Sequence, residues 1–300
     1  MPQRAWLLDA SIYIFRAWFS LPDRWHSPDG MPLNAVVGYA GFLASMVERC
    51  APQALLAAAF DESLGTCFRN AIYPGYKASR SLPDETLAFQ LHACRELTER
   101  LGLPCYGGPD YEADDYLATL ARLCREAGYP VTLVSRDKDL GQLLFPGDAL
   151  WDAAADQALD ADGFRQRFGV LPRQFPDYQG LVGDAIDDIP GVPGVGARST
   201  VALLTHFDSL DALAVRLDEV AGLPLRGASG LQRKLEAHWP QALMSRELAR
   251  LESAVPGVSD VPRWRMDLQS LEAVRDYLQA LGLGGRLLQR WQQLAARVAA

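Results

Sequence analysis

The chain has 300 residues, a length that suggests two domains of about 150 residues each. Hydrophobic residues make up 49% and charged residues 22%, the composition of an ordinary soluble globular chain. With 29 Lys+Arg against 37 Asp+Glu the formal charge is −8, which at face value argues against an indiscriminate nucleic-acid binder and against a polybasic membrane anchor.

Taken in chain order, Met1-Pro2-Gln3-Arg4 runs directly into a short strand expected over Ala5–Leu8 and closed by Asp9, which is not the pattern of a signal peptide. Further runs of strand length are Ala54–Phe60, Val131–Ser135 and Ala149–Trp151. Helical periodicity fills the intervals at Gly38–Cys50, Leu87–Leu101 and Ala113–Ala127. In the last of these, Leu117, Leu120, Ala121 and Cys124 share one face. Strands alternating with helices predict an α/β fold, a parallel sheet with helices on both faces. Past about residue 175 no convincing strand follows. Short helical segments separated by Pro/Gly turns predict a second, all-helical domain. The stretch Leu287–Val298 reads as an amphipathic helix docked on the domain surface. No apolar run approaches the roughly 18 residues needed to span a bilayer. The five cysteines are odd in number and form no C-x-x-C, as expected of thiols in a reducing cytoplasm.

The carboxylates carry more information. Asp9 closes the first strand, Asp61 follows the second, Glu112, Asp114 and Asp115 open a helix, and Asp137 and Asp139 follow the strand Val131–Ser135. In an open parallel sheet the carboxyl ends of the strands line one crevice, where ligands bind. Each acid alone is an ordinary cap or turn residue. Together they would repel one another and hold raised pKa values unless a cation neutralised them. Hard divalent ions do this, and Mg²⁺ or Mn²⁺ is the expected choice. So many ligands point to two or more ions and to in-line displacement at phosphate.

Two further segments fit that chemistry. Gly183-Asp184-Ala185-Ile186-Asp187-Asp188-Ile189-Pro190-Gly191-Val192-Pro193-Gly194-Val195-Gly196 leads into a helix. It reads as a helix–hairpin–helix turn whose backbone N–H groups would hold a phosphate, or as a plain αα-turn; no strand precedes it, as a dinucleotide fingerprint would need. Phe68-Arg69-Asn70-Ala71-Ile72-Tyr73-Pro74-Gly75-Tyr76-Lys77-Ala78-Ser79-Arg80 interleaves basic and aromatic residues, as single-strand binders do, though a solvated loop with packed tyrosines has the same pattern.

These motifs, in this order, resemble the 5′-nuclease superfamily, which includes the 5′-to-3′ exonuclease domain of bacterial DNA polymerase I, phage exonucleases and flap endonucleases. The resemblance rests on Leu8-Asp9, Phe60-Asp61, Phe68-Arg69, Gly75-Tyr76-Lys77-Ala78-Ser79-Arg80, Tyr111-Glu112-Ala113-Asp114-Asp115, Ser135-Arg136-Asp137-Lys138-Asp139-Leu140 and the Gly183–Gly196 run. It implies a PIN-like nuclease domain over residues 1–175, with a helical arch near 65–100. It also implies a helical DNA-binding domain over 176–300 carrying a helix–three-turn–helix element. The implied activity is metal-dependent hydrolysis near the 5′ end of flap, nicked or branched DNA by a cytoplasmic monomer. By the same resemblance Asp9, Asp61, Glu112, Asp114, Asp115, Asp137, Asp139, Asp184 and Asp187 ligate the ions. Lys77 and Arg80 are catalytic. Arg16, Arg69, Tyr76, Lys77, Arg80, Gly191, Gly194, Gly196 and Arg198 contact DNA, and K⁺ sits in the hairpin turn. Ala10 stands where the family usually has Gly. Ile186 and Asp188 stand where it has a small polar residue and Asn, and Asp188 is expected to cap a turn. With no polymerase following, a stand-alone nuclease is expected. The alternatives are a PIN-class ribonuclease and a non-catalytic structure-specific DNA binder. An aspartyl-phosphate phosphatase would need Thr or Val where Gly141 stands. Setting the nine family acids aside moves the formal charge from −8 to +1, so the acidic balance does not weigh against nucleic acid.

Overall fold

Three runs of apolar residues, too short for helices, build the centre of a sheet: β1 (Ala5–Asp9), β2 (Gln53–Ala59) and β4 (Val131–Val134). Their unbroken hydrophobicity suits strands covered on both faces. The structure, a computed structural model that describes residues 3–50 and 53–299, sets them side by side and parallel, Asp9 against Ala59 and Leu8 against Val134. The short β3 (Cys105–Tyr106) lies outside β2, while β5 (Ala149–Asp152) and the antiparallel β6 (Gln157–Leu159) lie outside β4. The resulting order is β3-β2-β1-β4-β5-β6. A two-residue β7 (Trp264–Arg265) pairs antiparallel with the start of β2. The strands β3, β6 and β7 are too short for periodicity to register, and β7 lies where no strand was expected. The direction of strand order reverses at β1, so the crevice at its carboxyl end is a topological switch point.

One face of the sheet is covered by α1 (Ala10–Ser20), α2 (Asn34–Arg49), α4 (Glu85–Arg100), α11 (Leu268–Ala280) and α12 (Gly285–Ala299). The other carries α5 (Ala113–Glu126), α6 (Ala161–Phe168) and the start of α7 (Phe175–Val182). A separate core of Leu181, Leu203, Phe207, Leu213 and Leu235 gathers α7, α8 (Ala197–Phe207), α9 (Leu210–Ala214) and α10 (Ala228–Ala249). The last of these breaks at His238, two residues before Pro240, whose ring clashes with the preceding turn.

Two expected spans divide differently. Within 176–300, residues from β7 onward return to the α/β body: Trp264, Leu271, Leu278 and Trp291 are buried with Leu43 and Leu97. Within 65–100, α4 packs into that same core through Ala93, Cys94 and Leu97; the part that reaches the crevice follows the five-residue α3 (Phe68–Ile72). Among the described residues no helix is long and apolar enough to cross a membrane.

Candidate metal centre

At the carboxyl end of β1 lies a cleft of about 200 Å³ lined by Asp9, Asp61, Glu112, Asp114, Asp137 and Asp187, with Lys77 and Arg80. The fold aims each acid. Asp9 ends β1 and caps α1, its Oδ1 accepting from Ile12 N at 3.2 Å and its Oδ2 from Ser135 Oγ at 2.7 Å. Asp61 lies just past β2, where its N–H donates to Ser11 Oγ at 2.8 Å. Glu112 and Asp114 open α5, and Asp137 donates its N–H to Ser135 Oγ at 3.0 Å. Asp187 arrives from the loop after α7. The serines Ser11 and Ser135 hold two strands' acids in place; they stand two residues from Asp9 and Asp137, and only the fold reveals their role. A larger cavity of about 510 Å³ lies between α1, α2 and Trp151 and contains none of these acids, so convergent charge, not volume, marks the site.

Electrostatics gives the reason for a cation. Burial, with Asp137 and Asp61 nearby, pushes the Asp9 carboxyl up to about 7. Burial, followed by Asp137 and Asp9, pushes Asp114 well above the carboxylate range. Burial also raises Asp61 and Asp187 against the pull of Lys77. Glu112 goes the other way: burial opposes ionisation, but Lys77 and Arg69 outweigh it and lower its pKa. Six carboxylates face two side-chain cations in this cleft, and their hard oxygen donors fit Mg²⁺ or Mn²⁺. A carboxyl with a raised pKa stabilises the folded state fully below its unfolded pKa of about 4 and loses that contribution as pH rises through about 7. Metal-free stability is therefore expected to fall across that window, and Mg²⁺ to raise the Tm more at pH 8 than at pH 5. Thermal denaturation at both pH values checks this; an equal Mg²⁺ shift at each would count against it.

Asp139 and Asp184 form a second group beside the cleft. The Lys138 ammonium lies 3.2 Å from Asp139 Oδ1 and 2.6 Å from Asp184 Oδ2. The Gln179 amide donates to the same two carboxylates at 2.9 and 3.2 Å. Burial and Asp137 push Asp139 up to about 7, whereas Lys138 overcomes burial to hold Asp184 low. Gln179 Oε1, on the amide that donates to both acids, is buried without a partner. Sequence reasoning missed Gln179, because a Gln inside a short helix carries no signal.

Several expected roles need correction. Asp115 is fully buried, and the Arg69 guanidinium takes both its oxygens at 2.7 Å. Backbone N–H groups of Glu112 and Glu252 also donate to it, at 3.0 and 2.9 Å, so it has no oxygen directed at the cleft. Arg69, expected on DNA, is itself fully buried and donates to the Leu248 and Arg250 carbonyls at 2.8 Å. Cys67, Glu112 and Asp115 cluster closely enough to hold an ion, but Arg69 already fills that space. Tyr76, also expected on DNA, is 3% exposed and donates its hydroxyl to Glu112 at 2.9 Å. Arg16 lies outside the cleft, 3.8 Å from Asp152.

The turn at 183–196 closes through a bridge between Asp184 and Ile189. Gly191, at φ 60°, packs so tightly that a Cβ would lie 2.3 Å from Gly183 N, which explains its glycine without DNA. Gly194, Gly196 and Arg198 are exposed at the start of α8. The Gly194 and Gly191 carbonyls accept from Lys234 Nζ at 3.0 Å and Gln241 Nε2 at 2.7 Å. Side chains of α10 thus reach the carbonyls of the turn where K⁺ is expected. Ile186 is exposed, and Asp188, expected to cap a turn, instead accepts from the distant Ser79 N and Oγ.

Known proteins share this chain's sequence pattern and fold. The family model described as 5′-3′ exonuclease, N-terminal resolvase-like domain, matches residues 4–169, and that described as 5′-3′ exonuclease, C-terminal SAM fold, matches residues 170–272. The chain is 39% identical over 251 residues to DNA polymerase I of Pseudomonas aeruginosa, covering 83% of this chain and 27% of that one. It is 36% identical over 234 residues to the flap endonuclease Xni of Salmonella dublin, covering 78% and 90% respectively. The chain spans about a quarter of the length of the DNA polymerase I relatives it matches. Among solved structures, the bacteriophage T5 flap endonuclease in complex with DNA and metal ions shares the fold, with a TM-score of 0.66 at 19% identity, covering 98% of this chain and 100% of that one.

Proposed function

The chain belongs to the 5′-3′ exonuclease family, and on that premise we propose that it hydrolyses DNA phosphodiester bonds as a divalent-metal-dependent 5′-to-3′ exonuclease and 5′-flap endonuclease. The observation that carries this reading is the cleft in which six carboxylates face Lys77 and Arg80. Acids alone would repel a phosphate. Acids that gather cations, beside two fixed side-chain cations, can receive one.

Asp9, Asp61, Glu112, Asp114, Asp137 and Asp187 would hold Mg²⁺ or Mn²⁺, with Asp139 and Asp184 acting at the second group. When bound, the ions supply Lewis-acid polarisation of the phosphate and a more acidic water. The protein's own groups do the rest. Burial pulls the Lys77 ammonium down, but Glu112, Asp187 and Asp61 more than offset it and raise its pKa, so it stays charged through the working pH range. Lys77 and Arg80 neutralise the non-bridging oxygens and orient the phosphorus toward the cleft. Asp115, Arg69 and Tyr76 hold Glu112 and the start of α5 from behind. Gly194, Gly196 and Arg198, exposed at a helix start, would take the duplex backbone. The substrate is a flap, nicked or branched duplex. The protein works as a monomer in the cytoplasm; the five free cysteines support the compartment alone.

Product-length analysis on matched 5′-flap, nicked and blunt DNA and on single-stranded RNA, with Mg²⁺, Mn²⁺ or EDTA, tests this. Cleavage of flap or nicked DNA is expected with either metal and none with EDTA. Preference for RNA would favour a PIN-class ribonuclease, and binding without cleavage in either metal would favour a non-catalytic DNA binder.

A further inference from the structure

Two segments meet beside the cleft, and both adopt backbone conformations that residues with a Cβ avoid. Lys77 has φ 52° and Asp188 φ 55°, in the left-handed region that favours glycine. Such strain persists where the surroundings over-determine it, and it clusters at functional sites. Four hydrogen bonds join the two segments. Lys77 N donates to Asp187 O at 3.0 Å, Ser79 N and Oγ donate to Asp188 Oδ2 at 2.9 and 2.7 Å, and Arg80 Nη2 donates to Asp187 Oδ1 at 2.5 Å.

The division of labour is informative. Lys77, Arg80 and Asp187 line the cleft, whereas Ser79 and Asp188 do not. The Ser79–Asp188 pair spans 109 residues of sequence, so it does not close a local turn as an ordinary cap would. Upstream, the segment is pinned by the buried Tyr76, whose carbonyl accepts from Asn70 Nδ2 at 2.9 Å. Downstream, the chain runs exposed through Leu82, which is 72% accessible. The contact with Asp188 therefore secures the free side of the turn that carries both cations.

We infer that Asp188 is a positioning residue: by accepting both Ser79 donors, its carboxylate sets the turn that presents Lys77 and Arg80 to the scissile phosphate. This rests on the proposed roles of those two cations. The test is single-turnover cleavage of 5′-flap DNA in Mg²⁺ by wild type, Asp188→Ala, Asp188→Asn, Lys77→Ala and the Asp188→Ala/Lys77→Ala pair, with flap affinity measured separately in EDTA. Asp188→Ala is expected to slow cleavage roughly tenfold or more, as misplaced catalytic groups do, with affinity changed less than about twofold. Asp188→Asn is expected to restore the rate, since its amide oxygen accepts both donors and Asn tolerates the left-handed region. In the Lys77→Ala background Asp188→Ala is expected to cost much less than it does alone. Should Asp188→Ala lower the Tm, Ser79→Ala, which removes a single donor at an exposed site, is expected to slow cleavage by a smaller factor. Independent losses that multiply in the double variant, or no rescue by Asn, would overturn the inference and leave the cation roles standing. Wild-type cleavage by Lys77→Ala would overturn both.

Discussion

Replacing Asp114 with Asn is expected to slow single-turnover cleavage on the order of 10³-fold, about 4 kcal/mol of barrier, while making the metal-free protein more stable at pH 8. Both effects come from one charge. Burial, then Asp137 and Asp9, raise the Asp114 pKa far above the ordinary range, so ionising it without a cation is unfavourable. The isosteric amide removes that repulsion and also a ligand. Loss of activity with a gain in Tm separates a functional acid from a structural one, because damage to the fold moves both downward. Asp137→Asn is expected to slow cleavage alike, with the fold kept, since its Oδ1, which accepts from Asp139 N at 2.9 Å, has an equivalent in Asn. Quenched-flow cleavage with melting in EDTA and in Mg²⁺ measures the pair of effects. Cleavage within about tenfold of wild type would remove Asp114 from the metal set.

Replacing Arg69 with Met is expected to lower the unfolding free energy by about 3–5 kcal/mol, the usual consequence of breaking a buried ion pair from one side. Met nearly fills the volume but leaves the Asp115 carboxylate buried with only backbone partners, and leaves the Leu248 and Arg250 carbonyls short of a donor. Burial opposes the Arg69 charge, yet Asp115 and Glu112 overcome it and raise its pKa, so the guanidinium is charged in the folded state. Asp115→Asn is expected to destabilise in the same sense. For both variants the loss should appear without Mg²⁺ as well as with it, because neither group faces the cleft. Urea denaturation measures it. An Arg69→Met protein as stable as wild type that had lost affinity for DNA would return Arg69 to the binding surface.

The contrast between Asp114 and Asp115 shows what a sequence can and cannot disclose. Strand runs ending in Asp9 and Asp61 and the helix opened by Glu112 place carboxylates at one crevice by periodicity and topology alone. The acids at 112, 114 and 115 then look alike. In the folded chain Glu112 and Asp114 turn to the cleft, while Asp115 turns back to the helix start as a capping partner of Glu112. The E-x-x-D spacing contained half of that signal, since the third helical residue of a capping box accepts from the N-cap N–H, as Asp115 Oδ2 does from Glu112 N. For Arg69 no local signal existed. Its carbonyl partners stand 179 and 181 residues away, and a basic residue in an aromatic stretch has the same pattern whether it meets DNA or an internal acid. Likewise β7 is two residues long and its partner strand is some two hundred residues earlier, a pairing that no window of sequence contains.

That return of the chain orders events during synthesis. Trp264 pairs its backbone with Ala54, donates its indole N–H to the Leu101 carbonyl at 3.0 Å, and with Leu271 and Trp291 completes the core begun by Leu43 and Leu97. The α/β body is thus encoded in two instalments, with the helical segment translated between them. Until the second instalment leaves the ribosome, α2 and α4 keep an uncovered apolar side, a species prone to non-native association. A fragment cut after α10 would be frozen in that condition, so the helical segment cannot be trimmed away together with everything that follows it without exposing the nuclease core.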